Sequence, residues 1–224
     1  QSSITYGNQF QNGYLGKDLS GTGWGLKFDF IIVHESGHEW FANNVTFKDA
    51  ADIWIHEGFT AYSESLFVEY FYGKSAGQEY CRGTRKGIRN KFPIIGDYDV
   101  NSSHKDNDVY SKGANILNTV RQILNNDDQW RQTLKGIGAA FYHQTVTTEQ
   151  IETYIAKQTG MELRLFFDQY LRTSQIPIFE YHKEKGKLMY RWDETLEGFN
   201  MPIDLKIDDK EIRLTPTTSW QSYP

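Results

Sequence analysis

The stretch HESGHEW at positions 34–40 constrains this chain more tightly than any other, because it sets two histidines four residues apart. On a helix, residues so spaced lie about 40° apart around the axis and about 6 Å along it. His34 and His38 can therefore aim two imidazoles at one ion, with metal–nitrogen distances of about 2.0–2.1 Å for zinc. Glu35 projects to one side of that stripe, where it can reach a water at the ion rather than the ion itself. A catalytic zinc needs three protein ligands and an open fourth position. The fold must therefore bring a third donor alongside this helix.

One arrangement, HExxHxxGxxH, places that donor a few residues on. Here its glycine position holds Phe41 and its histidine position Asn44, which rules it out. Another arrangement takes a glutamate from the next helix. Glu57, within WIHEGFTAYSE, lies 19 positions after His38 and has the required chemistry. The metal-free alternative treats His34 and His38 as ordinary core or surface histidines. It then leaves Glu57 and Glu64, near one face of a largely apolar helix, as buried carboxylates without a counter-charge, which is costly. One zinc ion resolves both, with Glu57 as ligand and Glu64 supporting the site from behind.

Around these two helices the chain divides into two kinds of pattern. SSITYGNQF alternates like a strand, and SGTGWG reads as a loop without the Lys-Ser/Thr of a phosphate cradle. KFDFIIVHESGHEWFANN predicts a buried helix capped by Asp29 and closed at Asn43–Asn44. The second helix ends at Gly73, and a third spans Ala76–Asn90. A long loop follows to about Val109. Further helices are predicted at Tyr110–Asn125, Asp128–Tyr142, Thr147–Thr159 and Leu163–Leu171, with Gly160 as a stop signal. From Ile176 short apolar alternations are broken by EKGK and IDDKE, which are hairpin signals. A mainly helical domain over 1–175 and a small β domain over 176–224 are expected.

Composition excludes more than it selects. A net charge of −5 gives no basic footprint for nucleic acid, and no stretch reaches the length of a membrane span. The single cysteine, Cys81, permits no internal disulfide and reads as a buried small residue. The basic run CRGTRKGIRNK fits the solvated face of the third helix, and Trp40 and Trp54 fit core packing. With no initiator Met and no apolar leader, both ends read as internal to a longer chain. Compartment and oligomeric state are not legible.

HESGHEWFANNVT, WIHEGFTAY and VYSKGANIL, with Tyr110 lying 53 positions beyond Glu57, resemble the M1 family of zinc aminopeptidases. The resemblance implies a thermolysin-like catalytic domain, its helical part joined to a strand of a mixed sheet, followed by the start of a small β-sandwich. It implies His34, His38 and Glu57 as ligands of one zinc, Glu35 as general base and Glu64 behind the ligands. Tyr110, otherwise readable as a helix-start tyrosine packed on a loop, would stabilise the transition state. The implied partner is a peptide with a free N-terminus. Two positions depart from the family pattern: His56 stands where Asn is usual before the third ligand, and Ala42 replaces a Gly. The family's G-x-M-E-N-like stretch, whose glutamate binds the substrate's α-amino group, does not occur. It falls just upstream of the segment resembling SSITYG. A second reading therefore stands beside the enzyme: a zinc-holding peptide-recognition domain with little turnover in this form.

Overall fold

A computed structural model of the chain describes residues 7–100 and 105–224. Most of the strand expected over residues 2–10 lies outside them, and residues 7–10 form no strand. Helices α1 (Phe30–Gly37), α2 (Trp54–Tyr72), α3 (Lys74–Thr84), α4 (Asp108–Leu124), α5 (Asp127–Ala140), α6 (Thr148–Thr159) and α7 (Arg164–Arg172) carry the first part of the chain. Strands β1 (Val45–Phe47) and β2 (Gln144–Val146) interrupt them. Then follow β3 (Ile178–Glu184), β4 (Lys187–Asp193), β5 (Ile203–Ile207), β6 (Lys210–Leu214) and β7 (Gln221–Tyr223). The chain is thus helix-rich with some sheet.

Helix α1 begins as expected, with the Asp29 carboxylate accepting from the N–H groups of Ile31 and Ile32. It ends earlier than expected, at Gly37 rather than near Asn43–Asn44. The cause is competition for those asparagines. The Asn43 N–H donates to the His38 carbonyl at 2.9 Å, forming a turn. The Asn44 side chain donates to Gly138 O at 2.9 Å and accepts from His143 N at 3.0 Å. That anchorage delivers β1 to β2, which it pairs in parallel from Val45↔Gln144 to Phe47↔Val146. Trp40, left beyond the shortened helix, is 62% exposed instead of packed in the core; Trp54 is fully buried.

Helix α2 is apolar around most of its surface because α1, α3 and α4 all pack against it. The core between α2, α4, α5, α6 and α7 is built from Trp54, Phe59, Leu117, Trp130, Ile151 and Phe167, among others. Its indole donors are satisfied: Trp54 donates to Thr148 Oγ1 at 2.7 Å and Trp130 to the Tyr62 hydroxyl at 3.0 Å. Helix α3 stops at Thr84 and continues only as a 3-10 turn, Arg85–Gly87. Cys81 is buried as expected; the basic side chains at 82, 85, 86, 89 and 91 are exposed, but only Arg82 lies on α3 and the others follow its end rather than forming a face of it. Helix α6 carries a full capping box between Thr147 and Gln150, and Gly160 ends it in the left-handed region.

Beyond α7, β3 and β4 pair antiparallel from Ile178↔Asp193 to Glu184↔Lys187, and β7 adds to β4. β5 and β6 form a separate hairpin. Both two-residue turns, Lys185-Gly186 and Asp208-Asp209, have positive φ at each central position. Such turns match the twist of the strands they join.

Candidate active site

Helices α1 and α2 lie side by side and bring the sequence-predicted residues together. His34, 6% exposed, points from α1 toward α2; His38 is the residue that caps the end of α1. The His34 Nδ1–H donates to Glu64 Oε1 at 2.7 Å. The His38 Nδ1–H donates to the Phe41 carbonyl at 3.1 Å, with Thr60 Oγ1 3.2 Å away. Engaging both Nδ1 atoms leaves the two Nε2 atoms facing Glu57, whose Oε2 is 3.3 Å from His34 Nε2 and 3.6 Å from His38 Nε2. A tetrahedral site with bonds of about 2.0–2.1 Å has ligand–ligand edges of about 3.4 Å. The two edges that meet at Glu57 Oε2 are close to that spacing. Glu35 adds a carboxylate oxygen to the cluster, with donor atoms of His34, Glu35 and His38 all within 4.8 Å of one another. Of the two carboxylates, Glu57 is at ligand-edge distance from both imidazoles and Glu35 flanks them.

The electrostatics of this group call for a cation. Burial pushes the His34 imidazole down, but hydrogen bonds and charge from Glu57 and Glu64 outweigh it and hold its pKa at about 10. Burial also raises Glu57, yet the His34 bond and the nearby imidazoles keep it below its ordinary value. Burial dominates at Glu64, whose carboxyl is pushed up despite His34 and Tyr80. Two carboxylates closing on one imidazole hold a proton when nothing else is there. A divalent ion with neutral imidazoles meets the same demand, so the donor set fits zinc.

His56 turns away. Its Nε2 accepts from Phe47 N–H at 3.2 Å and lies 2.9 Å from Thr46 Oγ1, while its ring packs on Phe47 at 4.1 Å. Burial and the neighbouring His38 lower its pKa to about 4. A neutral His56 therefore ties α2 to β1 and is not a fourth donor.

A cavity of about 690 Å³ opens beside the cluster, bordered by Phe30, His34, Glu35, Glu64, Tyr80 and Tyr110 among others. The Tyr110 ring centroid lies 5.9 Å from that of His34. Burial, then the charges of Glu57 and Glu35, push the Tyr110 phenol up to about 12, so at neutral pH it keeps its proton and remains a donor. What brings α4 so near is a pair of glycines. A Cβ on Gly113 would sit 2.7 Å from Gly58 Cα, and one on Gly58 would sit 3.0 Å from Gly113 Cα. The glycines of HEGF and YSKG thus touch, and that crossing brings the Tyr110 ring close to His34. Sequence reading missed this contact, whose only trace is a glycine in each motif. It also missed Tyr80, one of 14 tyrosines with no distinguishing spacing, whose hydroxyl donates to Glu64 Oε2 at 2.7 Å.

Paired imidazoles and a carboxylate on adjoining helices beside an open cavity are the features of the metallopeptidase class. The model of the Peptidase family M1 domain matches residues 25–170, and the chain belongs to that family. Similar proteins include mouse "Aminopeptidase B", 22% identical over 86% of this chain and 33% of that protein. Another is "Aminopeptidase N" of Lactobacillus helveticus, 25% identical over 82% of this chain and 25% of that protein. Among solved structures, the M1 zinc metallopeptidase of Deinococcus radiodurans superposes with a TM-score of 0.57 at 25% identity, covering 67% of this chain and 34% of that one. Legionella pneumophila aminopeptidase A, in complex with aspartic acid, gives 0.63 over 92% of this chain and 25% of that one. At 18% identity the latter likeness is one of fold. The chain spans between about a quarter and a third of the length of these relatives.

Proposed function

We propose that this chain carries the catalytic centre of a zinc aminopeptidase, removing N-terminal residues from peptides. The observation that carries the reading is the single Glu57 oxygen at 3.3 and 3.6 Å from two imidazole nitrogens. His34, His38 and Glu57 would hold one zinc ion, and Glu64 would orient His34 from behind. Zinc held there would polarise the scissile carbonyl and bring the pKa of a water down to about 7. Glu35 takes the proton of the attacking water at its carboxylate and delivers it to the departing amine as the C–N bond breaks. The Tyr110 hydroxyl donates to the carbonyl oxygen as negative charge develops on it. The cavity beside them takes the substrate chain.

In this reading residues 1–175 form a thermolysin-like catalytic domain and residues 176–224 begin a small β-sandwich domain. Relatives named as aminopeptidases and zinc metallopeptidases support the reaction class. The test is zinc content together with hydrolysis of a panel of aminoacyl reporters and their N-acetylated counterparts. We expect one zinc per chain, cleavage of free-amine reporters and none of acetylated ones. Zinc without turnover in any form of the protein favours the peptide-recognition reading, and cleavage of acetylated peptides removes the exopeptidase assignment.

A further inference from the structure

Behind the ligands stands a buried hydroxyl that the reaction scheme does not use. Tyr80 is 1% exposed on α3, with its ring edge-on to Phe28 at 5.7 Å. Its hydroxyl donates to Glu64 Oε2 at 2.7 Å, while the other oxygen of that carboxylate accepts from His34 Nδ1 at 2.7 Å. Among the described residues no other hydrogen bond reaches Glu64 Oε2. Glu64 is itself 3% exposed. A carboxylate held by so few donors has few ways to keep its orientation, and a single donor on the far oxygen fixes the near one.

On the basis of the zinc reading above, we propose that Tyr80 is a positioning residue for the metal centre. Its hydroxyl anchors Oε2, so Oε1 stays aligned on the His34 Nδ1–H. The imidazole is thereby held in the tautomer and orientation that aim Nε2 at the ion. The chain runs across three helices: α3 supplies the phenol, α2 the carboxylate and α1 the ligand. Ring packing does not require the hydroxyl, because a phenylalanine would fill the same space against Phe28. The oxygen is there for Glu64. Outer partners of metal-bound histidines carry about 10–100-fold in metal affinity or activity. Tyr80 and Glu64 both border the cavity, so a water can take the vacated place. That puts the expected loss toward about tenfold.

The experiment measures the zinc dissociation constant of the purified protein by competition with a chromogenic chelator, for the parent, Tyr80→Phe and Tyr62→Phe. Tyr62 is an equally buried phenol whose oxygen accepts from Trp130 and makes no bond to the zinc cluster. We expect Tyr80→Phe to weaken zinc about tenfold and Tyr62→Phe to leave it unchanged. Parental affinity in Tyr80→Phe, or equal weakening in both variants, overturns the proposal while the zinc site stands. A parent that binds no zinc overturns the site itself. A Glu64→Leu background, which removes both hydrogen bonds of that side chain, provides a second check through the double variant. If Tyr80 acts through Glu64, adding Tyr80→Phe there costs no further affinity; independent, additive losses overturn the role.

Discussion

Tyr110 reaches the cluster with a proton it does not readily lose, since burial and the carboxylates of Glu57 and Glu35 raise its pKa to about 12. As the proposed donor to a developing oxyanion it has a specific signature. Tyr110→Phe should keep the ring, the fold and the zinc, and lose about 10²–10³ in kcat. Zinc content and reporter turnover measured on the same preparation check this, and parental turnover in the variant removes the role. At this scale the sequence was unevenly legible. The helical period fixes where residues four apart must point, so His34 and His38 could be read directly. Glu57 and Glu64 followed from the cost of burying a carboxylate alone. Tyr110 was visible only through resemblance, because nothing local sets it apart from other tyrosines. The Phe41 carbonyl that orients His38 could not be read at all, since backbone acceptors leave no mark in side-chain pattern.

Elements carry the site through their crossings, and the sharpest is that of α2 and α4 at Gly58 and Gly113. A methyl group at Gly113 would meet backbone rather than a flexible side chain, so the helices must separate to admit it. Gly113→Ala should destabilise the fold by about 1–3 kcal/mol. It should also cut turnover by up to about 10²-fold, because a displacement near 1 Å at Tyr110 suffices. Urea denaturation and kcat would be read together; unchanged turnover would mean that the crossing does not set the tyrosine. A second junction lies at the far end of α2. Arg121 of α4 donates to both oxygens of Glu69 at 2.6 and 2.8 Å, and its Nε donates to Asp127 of α5 at 2.8 Å. Hydrogen bonds from Arg121 and Lys74 hold the Asp127 carboxyl well below the usual carboxylate range. A carboxyl lowered on folding adds stability in full above its unfolded pKa of about 3.9, and that stability fades as pH falls toward the folded value. The stability gap between parent and Asp127→Asn should therefore persist from pH 7 to pH 5 and narrow below pH 4. Its size is modest because the Asp127 side chain is 40% exposed. Urea midpoints at pH 7 and pH 3 decide it: a gap that does not narrow means that this pair does not titrate with the fold. The helices containing these junctions were read to within a few residues. The exception is α1, which stops at Gly37 because Asn44, read as its terminator, is recruited by α5.

For the molecule as a whole, the proposed metal site would double as a clasp. Helix α1 has eight residues, too few to be stable in isolation, and its inward end carries the two imidazoles. The partners of those imidazoles on α2 are two carboxylates, Glu57 and Glu64, which without the ion are compensated only by the proton that His34 holds. An ion bound only by the folded chain stabilises it by RT ln(1 + [L]/Kd), about 4 kcal/mol when free zinc is a thousand times Kd. Stripping zinc should therefore lower Tm markedly. Loss of order should be local at first, with amide exchange rising in α1 and the start of α2. The core of α5 and α6, built on Trp130, Ile137, Ile151 and Ile155, should keep its protection. Glu57→Gln separates this from a general effect of the chelator. Without the proposed carboxylate ligand the variant should bind zinc weakly, so added chelator should move its Tm little. An equal drop in parent and variant would mean that the chelator acts elsewhere on the fold and that α1 does not depend on the ion.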